Sequence, residues 1–291
     1  MAEGKTKIIR PGSRLGTVVI ESKDDITAGD GARRAILNRK SVYATTTTAN
    51  VFKLLNAAGI RTHYVRRLSS RKFEARHVGM IPLEIVIRRI ATGSYLRRNP
   101  GVVEGTIFDP LVVEFFLKDD ARHDPFIRFA WEEGNMWLFD AKSPSDEAIG
   151  IESLDDWRIQ GKRKARLRLI DEHLVIDLGA IARHVFLTLE TAWKRLEVDL
   201  VDLKIECGFD RETGELLVGD VIDNDSWRIW PLGEKDQAQD KQVFRDLKEV
   251  TDEAMDDVGD KYRRVAAWTD RFLEQRPRAT SSWRLAQAIA S

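Results

Sequence analysis

Residues 198–231, VDLVDLKIECGFDRETGELLVGDVIDNDSWRIWP, place charge inside two otherwise apolar runs. In the first run, strand alternation puts Asp202, Lys204 and Glu206 on one face and Leu203, Ile205 and Cys207 on the other. A turn around Thr213 and Gly214 leads into a second run that ends in Asp220, Asp223 and Asp225. Paired as a hairpin, the two runs bring Asp220 toward Glu206, because the connection is short and contains glycine. Two carboxylates and a lysine then share one site, which suits a hard cation such as Mg²⁺ held with substrate phosphates. The bland alternative is an exposed hairpin with a solvated polar face.

The rest of the chain weighs toward the first reading. With 291 residues and 43% hydrophobic content it buries a large core, as one large domain or two packed ones. Lys plus Arg and Asp plus Glu balance at 47 each, so no global field favours nucleic acid or an anionic membrane. The single cysteine, Cys207, excludes an internal disulfide framework and a cysteine-rich zinc site, and fits a reducing, cytoplasmic setting. The N-terminus lacks an apolar h-region and no stretch has membrane-spanning length, so a soluble protein is expected. Five scattered histidines show no metal-ligand spacing, and no nucleophile-elbow pattern appears.

Taken in order, the chain opens with Gly4 between Glu3 and Lys5, followed by Lys7 in a strand pattern; the lysine pair either cradles phosphates or belongs to a solvated terminus. Val18 to Ile20 reads as a strand. A glycine-bounded loop over 27–34 feeds a helix through Leu55, and its Asp30 and Arg33 either bind substrate or cap that helix. The four threonines at 45–48 are unusual for such a helix. Strands are expected over 61–68, 83–90 and 112–117. Arg88, the Gly93–Ser94 turn and Arg97–Arg98 form either an anion receptor or a surface basic turn. Residues 141–164 read as an exposed polar excursion carrying a solvated Lys162-Arg163-Lys164 cluster. A long amphipathic helix covers Leu178 to Leu196, and a second runs from Thr251 to about Glu274 before a tail of undefined packing.

Seven separated stretches stand in an order that resembles the SAICAR synthetase family: EGKTK at 3–7, AGDGAR at 28–33, MIPLE at 80–84, RRIATGS at 88–94 followed by RNPGV, KDDARHDP at 118–125, DLKIECGF at 202–209 and DVIDNDSWRIWP at 220–231. The wording is most like the synthetase domain of the animal bifunctional purine enzyme, and the chain length leads us to expect the synthetase function alone. Val221 and Pro231 depart from the acidic residues of many bacterial members, and the lead-in before Glu3 is short.

The resemblance implies an α+β fold: a small N-terminal antiparallel β lobe over residues 1–85, a larger α+β lobe over 86–291, and an ATP cleft between them, similar to kinases and ATP-grasp enzymes. It implies an ATP- and Mg²⁺-dependent ligase acting on CAIR and L-aspartate, working on neither nucleic acid nor membrane, with a homo-oligomer as the expected assembly. Lys5 and Lys7 would contact ATP phosphates, and Met80 and Glu84 would bracket the adenine segment. Glu206 and Asp220 would be metal ligands, with Lys204, Asp202 and Asp124 in catalytic positions. Asp30, Arg33, Arg88, Ser94 and Arg228 would hold substrate. A small-molecule kinase of related architecture, or a nucleotide-binding regulator without turnover, are the competing readings.

Overall fold

The structure, a computed structural model, describes residues 1–28, 33–144, 147–154, 158–159 and 168–274. The chain begins with β1 (Ala2–Glu3), β2 (Lys7–Pro11) and β3 (Thr17–Ser22). It then makes a separate hairpin of β4 (Asp25–Ala28) and β5 (Arg33–Ile36), and α1 (Lys40–Ala57) follows. The helical stretch expected directly after the 27–34 loop therefore starts later: Arg33–Ile36 is strand, paired with Asp25–Ala28. Next come β6 (Tyr64–Arg67) and β7 (Lys72–Arg76). A five-stranded antiparallel sheet ordered β1-β2-β3-β7-β6 results.

Two of the buried threonines of α1, Thr45 and Thr48, have partners, whereas the Thr47 hydroxyl has none among the described residues. Thr45 shares a 2.9 Å hydrogen bond with Ser22 on β3, and Thr48 Oγ1 donates to the Ile222 carbonyl at 3.2 Å. Small hydroxyl side chains thus let α1 lie close to both β3 and the segment after Gly219, with hydrogen bonds compensating their burial.

Then β8 (Val78–Ile90) leads through a short helix, α2 (Ser94–Arg98), into β9 (Ile107–Leu117), β10 (Phe126–Ala130), β11 (Asn135–Phe139) and β12 (Gly150–Ser153). Part of the expected polar excursion is thus a sheet strand: β12 pairs with β11 in register, Trp137 opposite Ile151. The Lys162-Arg163-Lys164 cluster and the tail after Pro277 lie outside the described residues. A two-stranded pair, β13 (Arg158–Ile159) and β14 (Arg168–Leu169), precedes α3 (Glu172–Lys194). Asp171 caps α3 by accepting from the Leu174 amide at 2.8 Å. Leu178, Val185, Phe186 and Leu189 on its inner face are fully buried, each contributing about 2 kcal/mol.

The chain finishes with β15 (Val198–Asp210), β16 (Leu216–Gly219), β17 (Trp227–Pro231), α4 (Gln242–Asp246) and α5 (Asp252–Asp270). Thr251 caps α5 through the Ala254 amide, as its position before the helix predicts. The larger sheet runs β12-β11-β10-β9-β8-β15-β16, with β17 also paired to β15. β16 and β17 divide one edge of β15: Gly219 opposes Glu206, while Trp227 opposes Leu203. Residues 220–226 between them therefore leave the sheet as a loop whose two ends rest on the same strand. Among the described residues, no helix is long and apolar enough to cross a membrane.

Candidate active site

A cleft of about 1090 Å³ opens where the two sheets meet. Its floor is one face of the large sheet, and cross-strand register dictates its chemistry. Arg88 on β8 lies opposite Asp202 on β15, which lies opposite Arg228 on β17. Two residues along, Glu114 on β9, Val86 on β8 and Lys204 on β15 stand in a row; two further along stand Phe116, Glu84 and Glu206. Because side chains alternate along each strand, all of these project from the same face. Leu203, Ile205 and Cys207 on the opposite face of β15 are buried in the core, as the alternation predicts.

Charges on that floor pair both along rows and diagonally. Lys204 Nζ donates to Glu84 Oε1 at 2.5 Å and to Glu206 Oε1 at 3.2 Å. Lys118, at the end of β9, also donates to Glu206. Burial opposes the charge on Glu206, but Lys204 and Lys118 outweigh it and hold the carboxyl at about 2. Burial likewise opposes the Lys204 ammonium, yet Glu84 and Glu206 hold its pKa well above the usual lysine value. Arg88 Nη1 donates to Asp202 Oδ2 at 3.0 Å, and Arg228 donates to the same oxygen. Ser94 Oγ lies 3.5 Å from Arg88 Nη2.

The opposite wall comes from the N-terminal sheet. Lys7, on β2, forms an ion pair with Asp220 across the cleft, and Lys5 reaches Asp120 at 3.2 Å. Burial, opposed by Glu206, lowers the Lys7 pKa to about 8. Asp220 has a positive φ of 55°, which turns the chain sharply at the end of β16. Sequence pairing brings Asp220 toward Glu206; in the structure Gly219 holds the opposed position and the Asp220 carboxylate meets Lys7.

At the far end, Asp225 accepts from Lys241 at 3.1 Å and from the Tyr262 hydroxyl at 2.6 Å, with Lys40 3.3 Å away. Burial raises the pKa of neighbouring Asp223, with the Asp225 charge adding to it. Arg33 also borders the cleft and donates to the Leu247 carbonyl at 2.6 Å. Asp124 accepts from the Asp119 amide at 2.8 Å, and burial together with the Glu84 charge raises its pKa.

Of the residues singled out in the sequence, Lys5, Lys7, Glu84, Arg88 and Ser94 border this one cleft. Arg33, Asp124, Asp202, Lys204, Glu206, Asp220 and Arg228 border it as well. Met80 is not brought into its lining: it sits further back on β8, 37% exposed, its sulfur 3.1 Å from where a Cβ on Gly219 would lie. Asp30 lies outside the described residues. Sequence reasoning assigned nothing to Lys118, although EFFLK at 114–118 places Glu114, Phe116 and Lys118 on one strand face. Lys241 gave no comparable signal, since its place depends on the loop after β17.

Fold and cleft together define a class: a mixed α+β protein with a small antiparallel lobe set against a larger sheet and its helices. Solved structures share it. A phosphoribosylaminoimidazole-succinocarboxamide synthase from Ehrlichia chaffeensis superposes with a TM-score of 0.72 at 24% identity, covering 93% of this chain and 98% of that one. A structure described as SAICAR synthetase (Type-2) in complex with ADP also gives 0.72, at 26% identity, covering 95% and 98%. The family model for SAICAR synthetase matches residues 1–141 and 148–261, and the chain belongs to that family. The phosphoribosylaminoimidazole-succinocarboxamide synthase of Roseiflexus sp. (strain RS-1) is 46% identical over 94% of this chain and 98% of its own. Multifunctional protein ADE2 of Gallus gallus is 42% identical over 94% of this chain and 58% of its own length. The chain is thus an enzyme of the phosphoribosylaminoimidazole-succinocarboxamide synthase type, a ligase of purine biosynthesis.

Proposed function

We propose that the chain joins CAIR to L-aspartate at the expense of ATP, yielding SAICAR, ADP and phosphate through an acyl phosphate. The observation carrying this reading is the segregation of charge along the cleft floor. Glu84, Lys204 and Glu206 cluster at one end with Lys7 and Asp220, and arginines flank Asp202 at the other. The first end suits a metal–triphosphate, and the second suits an acidic nucleotide substrate. The ADP complex of a related SAICAR synthetase supports nucleotide use.

Lys5 and Lys7 would hold the phosphates, and the 80–84 segment would meet the adenine at its Glu84 end, Met80 lying outside the cleft lining. The donor set of Glu206 and Asp220 fits Mg²⁺, which accepts one or two carboxylates and takes phosphate and water oxygens for the rest. Bound there, Mg²⁺ would neutralise charge building on the transferred phosphoryl group. Arg88, Ser94 and Arg228 would fix CAIR, and Arg33 and Asp30 would contribute to substrate binding. Asp124, its pKa raised, stands near Glu84 as a group able to accept a proton from the incoming amine.

A carboxylate is a poor electrophile, so phosphorylation by ATP turns it into an acyl phosphate whose carbonyl carbon the aspartate amine attacks, displacing phosphate. The chain's own work is to align the carboxylate with the γ-phosphate and to hold lysine and arginine charge around it. We also propose the lobes 1–85 and 86–291 as the nucleotide and substrate halves, with β8 crossing that boundary, a cytoplasmic location and a homo-oligomeric assembly. The test is ATP turnover with CAIR alone, aspartate alone and both, with product mass determined. SAICAR formed only with both substrates is expected; ADP formed without an aspartate adduct would favour a kinase, and binding without turnover a regulator.

A further inference from the structure

Glu114 does not border the cleft, yet the cleft's arginines depend on it. It lies on β9, 7% exposed, diagonal to Arg88 across the β8–β9 pair. Its Oε2 accepts from Arg88 Nε at 2.6 Å and its Oε1 accepts from Arg98 Nη2, so both carboxylate oxygens hold arginine. Arg98 in turn donates Nη1 to the Ala141 carbonyl at 2.7 Å and packs over the rings of Phe116 and Phe126. The outcome is an unbroken alternation of charge, Arg228–Asp202–Arg88–Glu114–Arg98, running from the cleft into the body of the large lobe.

A guanidinium is planar, with donors at fixed angles. Two of the Arg88 edges are already committed: Nε to Glu114 and Nη1 to Asp202. Nη2 and the second Nη1 hydrogen remain, and Nη2 is directed at Ser94 Oγ over a long 3.5 Å separation on the cleft side. With Asp202 and the Tyr95 ring alone, the ring centroid 5.8 Å from Cζ, the plane could still turn about the Nη1 contact; a second anchor at Nε removes that freedom. Arg98, itself tied to the Ala141 carbonyl and to two rings, keeps Glu114 from following any movement of Arg88.

We propose that Glu114 is a positioning residue for nucleotide-substrate binding: it fixes the plane of the Arg88 guanidinium so that Nη2 and the Ser94 hydroxyl present a preset pair of donors to an anionic oxygen. This rests on the assignment of Arg88 and Ser94 to the acidic imidazole nucleotide. Glu114 acts through Arg88, without touching substrate. Orientation set before binding lowers KM for the group it receives, and leaves the separate phosphate-binding end of the cleft unaffected.

The experiment compares Glu114→Gln, Arg88→Lys and the double variant by steady-state kinetics with CAIR, ATP and aspartate, alongside urea unfolding. Glu114→Gln keeps the volume and one acceptor but removes the charge. It is expected to raise KM for CAIR on the order of tenfold, with KM for ATP and kcat within about twofold, since hydrogen bonds to charged groups carry that much. Arg88→Lys is expected to raise the same KM by itself, and adding Glu114→Gln to it should change little further. Should Glu114→Gln fail to fold, Glu114→Asp, which keeps charge but withdraws it from Arg88, is expected to give the same selective rise. Equal losses for ATP and CAIR, a fall in kcat alone, or full additivity in the double variant would overturn the positioning role. An unchanged CAIR KM in Arg88→Lys, with Glu114→Gln still selective, would instead remove Arg88 from the substrate site and leave Glu114 acting through another group, which also overturns it.

Discussion

Arg88 on β8 and Asp202 on β15 are direct cross-strand partners, and one Asp202 oxygen receives both Arg88, at 3.0 Å, and Arg228. One carboxylate therefore stands between the buried Arg88 and the partly buried Arg228, an arrangement in which removing the shared partner is costly. Asp202→Asn is expected to destabilise the fold by about 2 kcal/mol, because the desolvated Arg88 and the partly desolvated Arg228 lose their common anion while Arg88 keeps Glu114. Urea unfolding of the ligand-free protein measures it, and a loss below about 1 kcal/mol would show that Glu114 and solvent suffice.

Gly93 precedes Ser94 with φ +60°, and a Cβ there would lie 2.7 Å from Arg228 Nη2. Gly105 also has positive φ, +87°, but open space where its Cβ would be. Alanine at either position carries a backbone penalty of about 1–2 kcal/mol. Only Gly93→Ala should also push Arg228 aside, raising KM for CAIR on the order of tenfold or more. Matching kinetics for the two variants would mean that Arg228 yields without consequence.

Asp220→Asn removes one proposed metal ligand and the partner of Lys7. Turnover at saturating CAIR and aspartate should fall on the order of a hundredfold. Stability should move by less than about 1 kcal/mol, because the pair is partly open to water. Calorimetric titration of Mg²⁺ with a non-hydrolysable ATP analogue separates the two effects; comparable losses of folding and activity would argue for a structural role.

Lys7 supplies a pH dependence. Burial holds its pKa near 8, below the ordinary lysine value of 10.5, so in the free enzyme its charge is complete below pH 8 and lost above it. For ATP, kcat/KM should therefore decline as pH rises through about 8, since this ratio reports the free enzyme. Lys7→Arg, which stays charged, should flatten that limb even if its absolute activity is lower. The linked effect on stability has the opposite sign: a cation whose pKa is lowered on folding makes the fold more stable as pH climbs from about 8 toward 10.5. An unfolding series over that window, compared with Lys7→Arg, checks it.

The face of β15 was legible because period-two alternation survives in a strand whose other face is core: Asp202, Lys204 and Glu206 against Leu203, Ile205 and Cys207. Helix α3 was legible from its apolar stripe and α5 from Thr251 before its start, whereas the Asp171 cap that begins α3 was not. The β4–β5 hairpin was not, because the helix-forming pattern nearby ends at Leu55 but gives no start, and the buried Lys40 at that start looks like surface until Asp225 is placed beside it. Lys118 and Glu114 escaped for a related reason. Their partners Glu206 and Arg88 depend on the register between strands, and no periodicity within one strand encodes the register of the next.

Residues 220–226 are anchored at both ends to β15, opposite Glu206 and Leu203, a separation of three residues or about 10 Å. That strand acts as a ruler: the start of the loop cannot drift from Glu206 without breaking the ladder. Asp220 and Glu206 thus belong to one rigid frame, whereas Lys7 arrives from the other sheet. Any hinging of one sheet on the other moves the cation and leaves the backbone positions of the two carboxylates at a constant spacing, so admission of the proposed nucleotide and geometry of the proposed metal site would be mechanically independent.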